Sequence, residues 1–294
     1  MSPLRRPATR LILLSLLCFQ HVATSAPAED ATQTAARNMA VSPVDAPIHL
    51  FNGKDLDGFY TWIRGSEYED PQQVFTVHNG MLHISGNGYG GLITDKAYRD
   101  YHLIIEFKWG ERTWGDREDR ARDSGVLVHC WGPDGGYSNT WMASVEAQII
   151  EGGVGDILVL SGKDPKSSEV LTTSLTTETT QDRDGEKVWE KGGERATLSG
   201  GRINWYGRDV DWADKIGFRG KDDVESPFGQ WTRMEIIADG PRLLYKVNGV
   251  VVNEGFESQP DFGKITIQTE QAEMFVRRLE LWPLGQAPTD EVKQ

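Results

Sequence analysis

Short stretches in which hydrophobic and polar residues alternate, separated by Gly, Asn and Asp, run through most of the chain. Asn79-Gly80 and Asn248-Gly249 are dipeptides that two-residue hairpin turns prefer, because the backbone there takes positive φ. No stretch carries the sustained 3.6-residue apolar repeat of an amphipathic helix. The pattern therefore predicts an all-β protein, built as an antiparallel sandwich or jelly roll. The predicted strands cover residues 74–78, 81–84, 91–94, 101–109, 124–129, 144–150, 156–160, 231–237, 242–247, 264–268 and 274–282.

The start of the chain has the pattern of a secretory signal peptide. Three arginines among the first ten residues precede an apolar run at residues 11–19, and Ala26 and Ala28 supply the small residues of a cleavage site. The run is shorter than the roughly 20 residues that a membrane span needs, so no membrane insertion is expected after signal removal. We predict that residues 1–28 are removed and that the protein is exported, to the periplasm or the extracellular space. A disordered tail or an uncleaved anchor is the alternative.

The remaining chain reads as one domain with two short flanking segments. Residues 29–46 are rich in Ala, Thr and Pro and are predicted to be a flexible arm, and residues 286–294 a flexible tail. Residues 47–285 form the predicted β-sandwich domain. Two charged segments, 111–123 and 163–195, interrupt the strand pattern and are predicted to be long surface loops.

An excess of acidic residues narrows the choice of partners. The 294 residues include 44 Asp and Glu against 31 Lys and Arg, a net charge of −13 that becomes −16 once the three arginines of the predicted signal peptide are lost. Such a protein repels the phosphates of nucleic acids, whereas a neutral carbohydrate is compatible with it. Signal removal also takes Cys18, which leaves Cys130 as a predicted buried small hydrophobe without a disulfide partner.

Three predicted strands each place a carboxylate on the face opposite their apolar side chains. Each such face is either an ordinary solvent-facing surface or part of a polar groove. Ten tryptophans favour a groove for sugars, because aromatic rings pack on the C–H faces of sugar rings. Trp141 is predicted to be one such ring, and two carboxylates in one groove could divide acid and base roles. The polar pairs are Glu106 with Lys108, Glu146 with Gln148, and Gln268 with Glu270.

An ordered series of motifs runs from Leu50 to the end of the last predicted strand. It comprises LFNGKDL at 50–56, VHNGML at 77–82, YHLIIEFK at 101–108, DSGVL at 123–127, SVEAQII at 144–150, GKITIQ at 263–268 and FVRRLELWPL at 275–284. In this order and spacing the chain resembles the 3-keto-disaccharide hydrolase family. The resemblance implies a concanavalin A-like or laminin G-like jelly-roll sandwich of two antiparallel sheets with long loops.

The resemblance also implies an activity on glycosides whose sugar carries a ketone at C3. A C3 ketone acidifies the hydrogen on C2, so a base can remove it, the C1 substituent can leave, and water can add to the unsaturated sugar. Such an enzyme needs a base near C2, a hydrogen-bond donor at the C3 oxygen, and an acid for the leaving group. The alternative is a non-catalytic carbohydrate-binding module, because a fold alone does not establish a function.

Matching to the family's strand motifs implies five groove residues. We assign Glu146 as the base or a metal ligand, and Gln148 and Gln268 as partners of hydroxyls or of the oxyanion. Arg277 is expected to steady a carboxylate or the ketone oxygen, and Glu106 to line the groove.

Further candidates lie at strand ends. His129 and Glu151 are second-rank candidates for proton transfer, because a lone histidine is more often structural than catalytic. Many family members have Asp-His after the residue that matches Gln268, whereas this chain has Thr269-Glu270, so either Glu270 replaces that histidine or the activity is altered. No cofactor is established. A divalent cation held by acidic oxygens stays possible, although no ligand spacing indicates one.

Overall fold

The chain folds into two antiparallel β-sheets that pack face to face, described by a computed structural model for residues 28–289, with side chains from residue 33 onward. The one helix of this part, α1, spans Ala28–Met39, and a 3-10 turn spans Gly115–Arg117. The strands are β1 (Ile48–His49), β2 (Phe59–Ile63), β3 (Phe75–His78), β4 (Met81–Ile84), β5 (Tyr89–Thr94), β6 (Tyr101–Thr113), β7 (Asp123–Trp131), β8 (Ala143–Ile150), β9 (Ile157–Leu160), β10 (Gly162–Lys163), β11 (Val170–Leu171), β12 (Ser174–Gln181), β13 (Lys187–Trp189), β14 (Glu194–Leu198), β15 (Gly201–Ile203), β16 (Thr232–Asp239), β17 (Arg242–Val247), β18 (Val250–Gln259), β19 (Lys264–Glu270) and β20 (Ala272–Trp282).

Each layer of the sandwich is one sheet. Within the described residues, one sheet has seven strands in the order β15-β9-β8-β7-β19-β5-β2. The other has eleven strands, with the path β13-β12-β18-β17-β16-β6-β20-β4-β3, and with β1 paired to β20 and β14 paired to β12. Strands β10 and β11 form a separate short pair. The predicted all-β sandwich of two antiparallel sheets is therefore confirmed.

The core lies between the sheets and is built by strict alternation. In β8 the side chains of Val145, Ala147 and Ile149 point inward and are fully buried. In β6 of the opposite sheet, Leu103 and Ile105 do the same. Burying an aliphatic side chain of this size stabilises the fold by about 1.5–3 kcal/mol relative to its exposure. The intervening residues of each strand are thereby forced onto the outer faces, where the candidate chemistry lies.

The predicted strands are present, and their ends agree to within two residues except in β6, which continues to Thr113 into the predicted 111–123 loop. The two predicted hairpin turns are also confirmed. Asn79-Gly80, with φ of 51° and 77°, joins β3 to β4, and Asn248-Gly249, with φ of 47° and 83°, joins β17 to β18. Both turns need positive φ at consecutive residues, which Asn and Gly tolerate.

Two segments differ from the expectation. Residues 29–46, predicted to be a flexible arm, contain helix α1, whose alanines are strong helix formers. The Arg37 Nε of this helix donates to Asp261 at 2.8 Å, and Val41 pairs with Tyr98. The predicted 163–195 loop contains β11 to β13 and the start of β14. These strands escaped prediction because β12 is polar and Thr-rich, while β11 and β13 have only two and three residues, too few to show an alternating pattern.

Some expectations fall outside the described part of the chain. The predicted signal peptide lies in residues 1–27 apart from Ala28, and the last five residues of the predicted tail also lie outside it. Among residues 28–289, no helix is long and apolar enough to cross a membrane.

Candidate active site

A polar cluster occupies the outer face of the seven-stranded sheet, meaning the face turned away from the other sheet. Strand pairing places Gln148 of β8 beside Gly125 of β7, and Gln268 of β19 beside Gly91 of β5. A Cβ atom on Gly125 would lie 2.5 Å from Glu146 Oε1 and closer still to Gln268 Oε1. The absence of a side chain at Gly125 therefore leaves room in which the two side chains meet across β7.

The amide of Gln268 stands out in this cluster. Gln268 is only 1% exposed, and neither its Oε1 nor its Nε2 makes a well-formed hydrogen bond in the described part of the protein, although the amide lies close enough to Glu146 to lower the pKa of that carboxyl. Buried polar atoms without partners are rare in folded proteins, because each one costs about 1–3 kcal/mol. Among the described residues Gln268 is the one side chain with two buried polar atoms in this state, which makes the amide beside Glu146 a candidate ligand contact.

The carboxyl group of Glu146 is set apart by its surroundings. Glu146 is 3% exposed, and burial, followed by the nearby negative charge of Asp123, raises its pKa to about 8. Arg202 acts in the opposite direction. Arg202 reaches this position from β15, because it pairs with Leu158 of β9, which in turn pairs with Glu146. Near neutral pH Glu146 can therefore exist in both protonation states, as acid–base catalysis requires.

A pair of carboxyl groups lies on the same face, two residues along β7 from Gly125 and two residues along β19 from Gln268. Asp123 begins β7 and Glu270 ends β19, and the two side chains are close enough to share a hydrogen bond. Burial first, and then the charge of Asp123, raises the pKa of Glu270 well above its usual value. Burial likewise raises the pKa of Asp123, against the pull of Arg117, which contacts it directly. Ionising both carboxyl groups would cost free energy, because two negative charges this close repel each other, so the pair retains a proton.

Aromatic side chains border the cluster on the β5 side. Trp141 Nε1 donates to the carbonyl of Gly90 at 2.9 Å, and its ring stacks on Tyr137 at 6.4 Å. Tyr89, the strand partner of Glu270, meets Trp141 edge-on. The pKa of Tyr137 is raised by burial and then by the charges of Glu146 and Glu270, so its hydroxyl lies near both acids. The predicted contact residue Trp141 therefore lies at the edge of the cluster.

We call Glu146, Gln148, Gln268, Asp123 and Glu270 the carboxylate site. Four of them were predicted from the alternation of strand residues or from the family resemblance. Asp123 was part of a motif but received no role, although a carboxylate at the start of a strand is a recognisable signal. Arg202 was missed because no strand was predicted around it.

Three predicted groove residues lie elsewhere. Glu106, Lys108 and Arg277 belong to β6 and β20 of the eleven-stranded sheet, on its outer face. Arg277 Nε donates to Glu106 at 2.7 Å, and the Lys108 ammonium lies 5.0 Å from the Trp231 ring. The prediction that these residues share a groove with Glu146 is wrong, because alternation shows which face a residue takes but not which sheet carries it.

His129 and Glu151 are likewise not brought into the carboxylate site. His129 is fully buried at a bulge of β7 with φ of 53°, its Nδ1 is 3.0 Å from Ser258 Oγ, and burial lowers its pKa to about 4. Glu151 accepts from Arg122 Nη1 at 2.7 Å and from two backbone N–H groups. The bulge turns His129 away, and the contacts of Glu151 fix a loop beyond the end of β8.

A grouping of acids suited to a metal occurs outside the carboxylate site. Asp182, Asp184 and Glu186, on the β12–β13 turn, bring three carboxylate oxygens within 4.8 Å of one another. Asp184 and Glu186 are exposed, and such groupings are common on acidic surfaces. The turn lies in the eleven-stranded sheet, so it does not supply a metal to Glu146.

Comparison with known proteins agrees with the resemblance seen in the sequence. Residues 46–281 match the family model described as a 3-keto-alpha-glucoside-1,2-lyase-like domain. No curated protein matches the chain.

Three similar solved structures are distant in sequence. One is a protein of Parabacteroides distasonis solved as a candidate glycosyl hydrolase, 17% identical, with a TM-score of 0.45 over 82% of this chain and 94% of that one. The carbohydrate-binding module CBM66 of Bacillus subtilis is 9% identical, with a TM-score of 0.41 over 76% and 94%. A Bacillus licheniformis β-glucanase is 8% identical, with a TM-score of 0.38 over 80% and 96%.

Proposed function

This chain belongs to the 3-keto-alpha-glucoside-1,2-lyase-like family, and we propose that it cleaves 3-keto-glycosides at the carboxylate site. The observation that carries the proposal is the buried amide of Gln268, without a hydrogen-bond partner among the described residues and placed beside a carboxyl group whose pKa is about 8. A polar ligand that bonds the amide would also lie against Glu146. This is the arrangement that proton abstraction next to a carbonyl needs.

Glu146 acts as the base in the proposed reaction. Its carboxylate takes the proton from C2 of the sugar, and the electron pair of that C–H bond moves into the enolate of the C3 ketone. A carboxylate with a pKa of about 8 is a stronger base than an ordinary one, because burial destabilises its charged form. Because burial raises this pKa, only the fraction of the enzyme in which Glu146 is ionised is active near neutral pH.

The amide groups stabilise the charge that develops on the C3 oxygen. Gln268 Nε2 makes no well-formed hydrogen bond among the described residues, and the side-chain oxygen of Gln148 already accepts from the backbone N–H of Ile149 at 3.2 Å. The orientation of Gln148 therefore leaves its own N–H₂ group available to substrate. Donors held in place before the reaction are worth about 2.7–4 kcal/mol each in comparable oxyanion sites.

The Asp123–Glu270 pair supplies the proton for the leaving group. The enolate re-forms the ketone, the C1–O bond breaks with its electron pair on the departing oxygen, and that oxygen takes the proton that the two acids share. Water then adds to the C1–C2 double bond, with hydroxyl to C1 and a proton to C2, and net hydrolysis results. Glu270 thus takes the position at which many family members carry a histidine.

The test replaces Glu146 and a matched control. A 3-keto-glucoside with a chromophoric aglycone is incubated with the wild-type protein, Glu146→Gln and Glu225→Gln. Glu225 is equally buried at 6% exposure, and burial raises its pKa to about 8 as well, but it accepts from Gly152 N beyond the end of β8. We expect turnover to fall about 10²–10⁴-fold in Glu146→Gln and to persist in Glu225→Gln.

Proton NMR in D₂O follows the same reaction and reports its chemistry. Deuterium at C2 of the product and a transient signal from a vinylic sugar proton are expected. Cleavage without C2 exchange would contradict the base role of Glu146. Binding of 3-keto-sugars with no turnover in the wild-type protein would instead establish a non-catalytic carbohydrate-binding module.

We propose that the protein acts after export, since residues 1–28 carry the features of a secretory signal peptide. Without the three arginines of residues 1–28 the net charge is −16, which is compatible with a neutral sugar substrate. The test is the N-terminal sequence of protein recovered from the periplasm or medium, which is expected to begin at Glu29. Recovery of the unprocessed chain in the cytoplasm alone would refute export.

A further inference from the structure

A groove of about 710 Å³ lies at the β2 edge of the seven-stranded sheet, outside the carboxylate site. One wall is the turn that follows β2, and the other walls are two loops that include residues 133–139 and 164–166. A volume of this size lies within the range of ligand-binding clefts, about 300–1,000 Å³. Its lining includes Trp62, Arg64, Tyr68, Asp134, Gly135 and Lys166.

Two aromatic rings form a fixed surface in this groove. Tyr68 is 60% exposed, and its ring meets Trp62 edge-on at 5.0 Å. Asp134 accepts from the hydroxyl of Tyr68 at 3.1 Å and from that of Tyr60 at 2.8 Å, so one carboxylate holds both tyrosines. An exposed ring that is already held in place loses little conformational freedom when a ligand packs on it.

The Trp62 ring lies close to the groove floor at Gly135. A Cβ atom on Gly135 would come within 3.1 Å of the ring, so the loop can approach the indole only because no side chain is present there. Among the described residues, the Trp62 Nε1–H has no hydrogen-bond partner. A small movement of this loop would offer that donor to a polar ligand.

The charges around the groove favour a neutral occupant. Arg64 donates to Thr140 Oγ1 at 2.7 Å and lies over the Tyr89 ring at 4.7 Å, so its charge is already engaged. Lys166 is opposed by Asp164 in the same lining, and Asp134 and Glu67 add further negative charge. An anionic ligand would meet this excess of carboxylates, whereas sugar hydroxyls can bond both acids and cations.

We propose that this groove is a second carbohydrate-binding site, which takes a neutral mono- or disaccharide unit against Tyr68. Packed rings combined with carboxylates and an N–H donor are the chemistry that sugar rings need, since their C–H faces are apolar and their edges are polar. Gly91 of β5 pairs with Trp62 on one side and with Gln268 on the other, so the groove adjoins the carboxylate site on the same sheet face, and Trp141 donates to the adjacent Gly90. The groove and the carboxylate site have different lining residues, and sugar binding in the groove does not require turnover at Glu146.

Saturation-transfer NMR with maltose, cellobiose, trehalose and sucrose as separate probes tests this. The comparison uses the wild-type protein, Tyr68→Ala, Tyr206→Ala and Glu146→Gln. Tyr206 is a matched control, because it is 50% exposed but packs on Trp189 and Trp205 elsewhere. We expect at least one probe to bind the wild-type protein, and its affinity to fall about tenfold in Tyr68→Ala. Affinity in Tyr206→Ala and Glu146→Gln should stay within twofold of wild type.

Two results would overturn the inference. One is the absence of binding by all four sugars in the wild-type protein. The other is binding that survives Tyr68→Ala but is lost in Glu146→Gln, which would place the sugar in the carboxylate site alone and leave the proposed function standing. Conversely, sugar binding that depends on Tyr68 in a protein without turnover would refute the proposed catalysis and keep the groove.

Discussion

Replacing Gly125 by Ala is a perturbation aimed at the carboxylate site and not at the fold. Gly125 lies in β7 with ordinary extended backbone, so the backbone accepts Ala there. The new Cβ would lie 2.5 Å from Glu146 Oε1, and closer to Gln268 Oε1, whereas ordinary contact begins at 3.4 Å. Both clashing atoms are the far ends of side chains. These two atoms must move by about 1 Å, while the backbone of the sheet can keep its position.

The expected effect on activity is much larger than the effect on stability. A displacement of about 1 Å in catalytic groups costs roughly 10²-fold in rate. Alanine also fills the space next to the Gln268 amide that we assign to substrate. For stability, the cost of moving two side-chain ends is offset in part by about 0.4–1 kcal/mol from the stiffer unfolded chain. The melting temperature should therefore change by no more than about 2–4 °C.

Two further glycine variants calibrate the assay, which measures kcat/KM on the chromophoric 3-keto-glucoside together with the melting temperature. Gly200→Ala meets no atom within 4 Å and should alter neither quantity. Gly263→Ala would place a Cβ 2.6 Å from the backbone nitrogen of Cys130 and should lower the melting temperature strongly. Full activity of Gly125→Ala would refute the placement of substrate between Glu146 and Gln268.

Three other predictions follow from the same structure. Because burial raises the pKa of Glu146 to about 8 and the base must be ionised, kcat/KM should rise about tenfold between pH 7 and a plateau above pH 8; a rate that falls over this interval would assign Glu146 the acid role. Burial lowers the pKa of His129 to about 4, so between pH 6.5 and pH 4 this imidazole binds a proton in the unfolded chain but stays neutral in the folded chain. The stability present above pH 6.5 should therefore decline as the pH falls toward 4, and His129→Asn, although less stable, should show a shallower decline in melting temperature; equal slopes would contradict this. Arg277→Ala removes a partner of Glu106 on the opposite sheet and should lower the melting temperature while kcat/KM stays within about twofold; a large loss of turnover would return Arg277 to the active site.

Local rules were enough to predict most of the sandwich from the sequence. Asn-Gly dipeptides mark two hairpins because their residues tolerate positive φ, and the residues between them alternate because one face of each strand is buried. The strands that escaped prediction lack that contrast. In β12, five of eight residues are Thr or Ser, and the strand is nonetheless partly buried because β14 and β18 pair with it on either side.

The sequence did not allow us to predict which of the two sheets each strand joins. Glu106 and Glu146 both lie on the strand face opposite buried aliphatic residues, and the local sequences of β6 and β8 show the same alternation. Long-range pairing decides the outcome: β6 pairs with β16 and β20, whereas β8 pairs with β7 and β9. Glu106 then meets Arg277 and Arg278 as direct neighbours, while Glu146 meets Gln268 and no arginine at hydrogen-bond distance among the described residues.

Burial of an acid does not by itself make a functional site, and Glu225 shows why. Its pKa is raised to about 8 by burial, as that of Glu146 is, yet Glu225 accepts a hydrogen bond from Gly152 N at 2.8 Å and has a structural role in that contact. Glu146 differs because its neighbour Gln268 is buried with both polar atoms unsatisfied by any described residue. Single unsatisfied buried atoms occur elsewhere among the described residues, Glu225 Oε2 included, whereas Gln268 has two in one side chain and lies beside Glu146. The amide, more than the carboxyl, therefore indicates where the substrate binds.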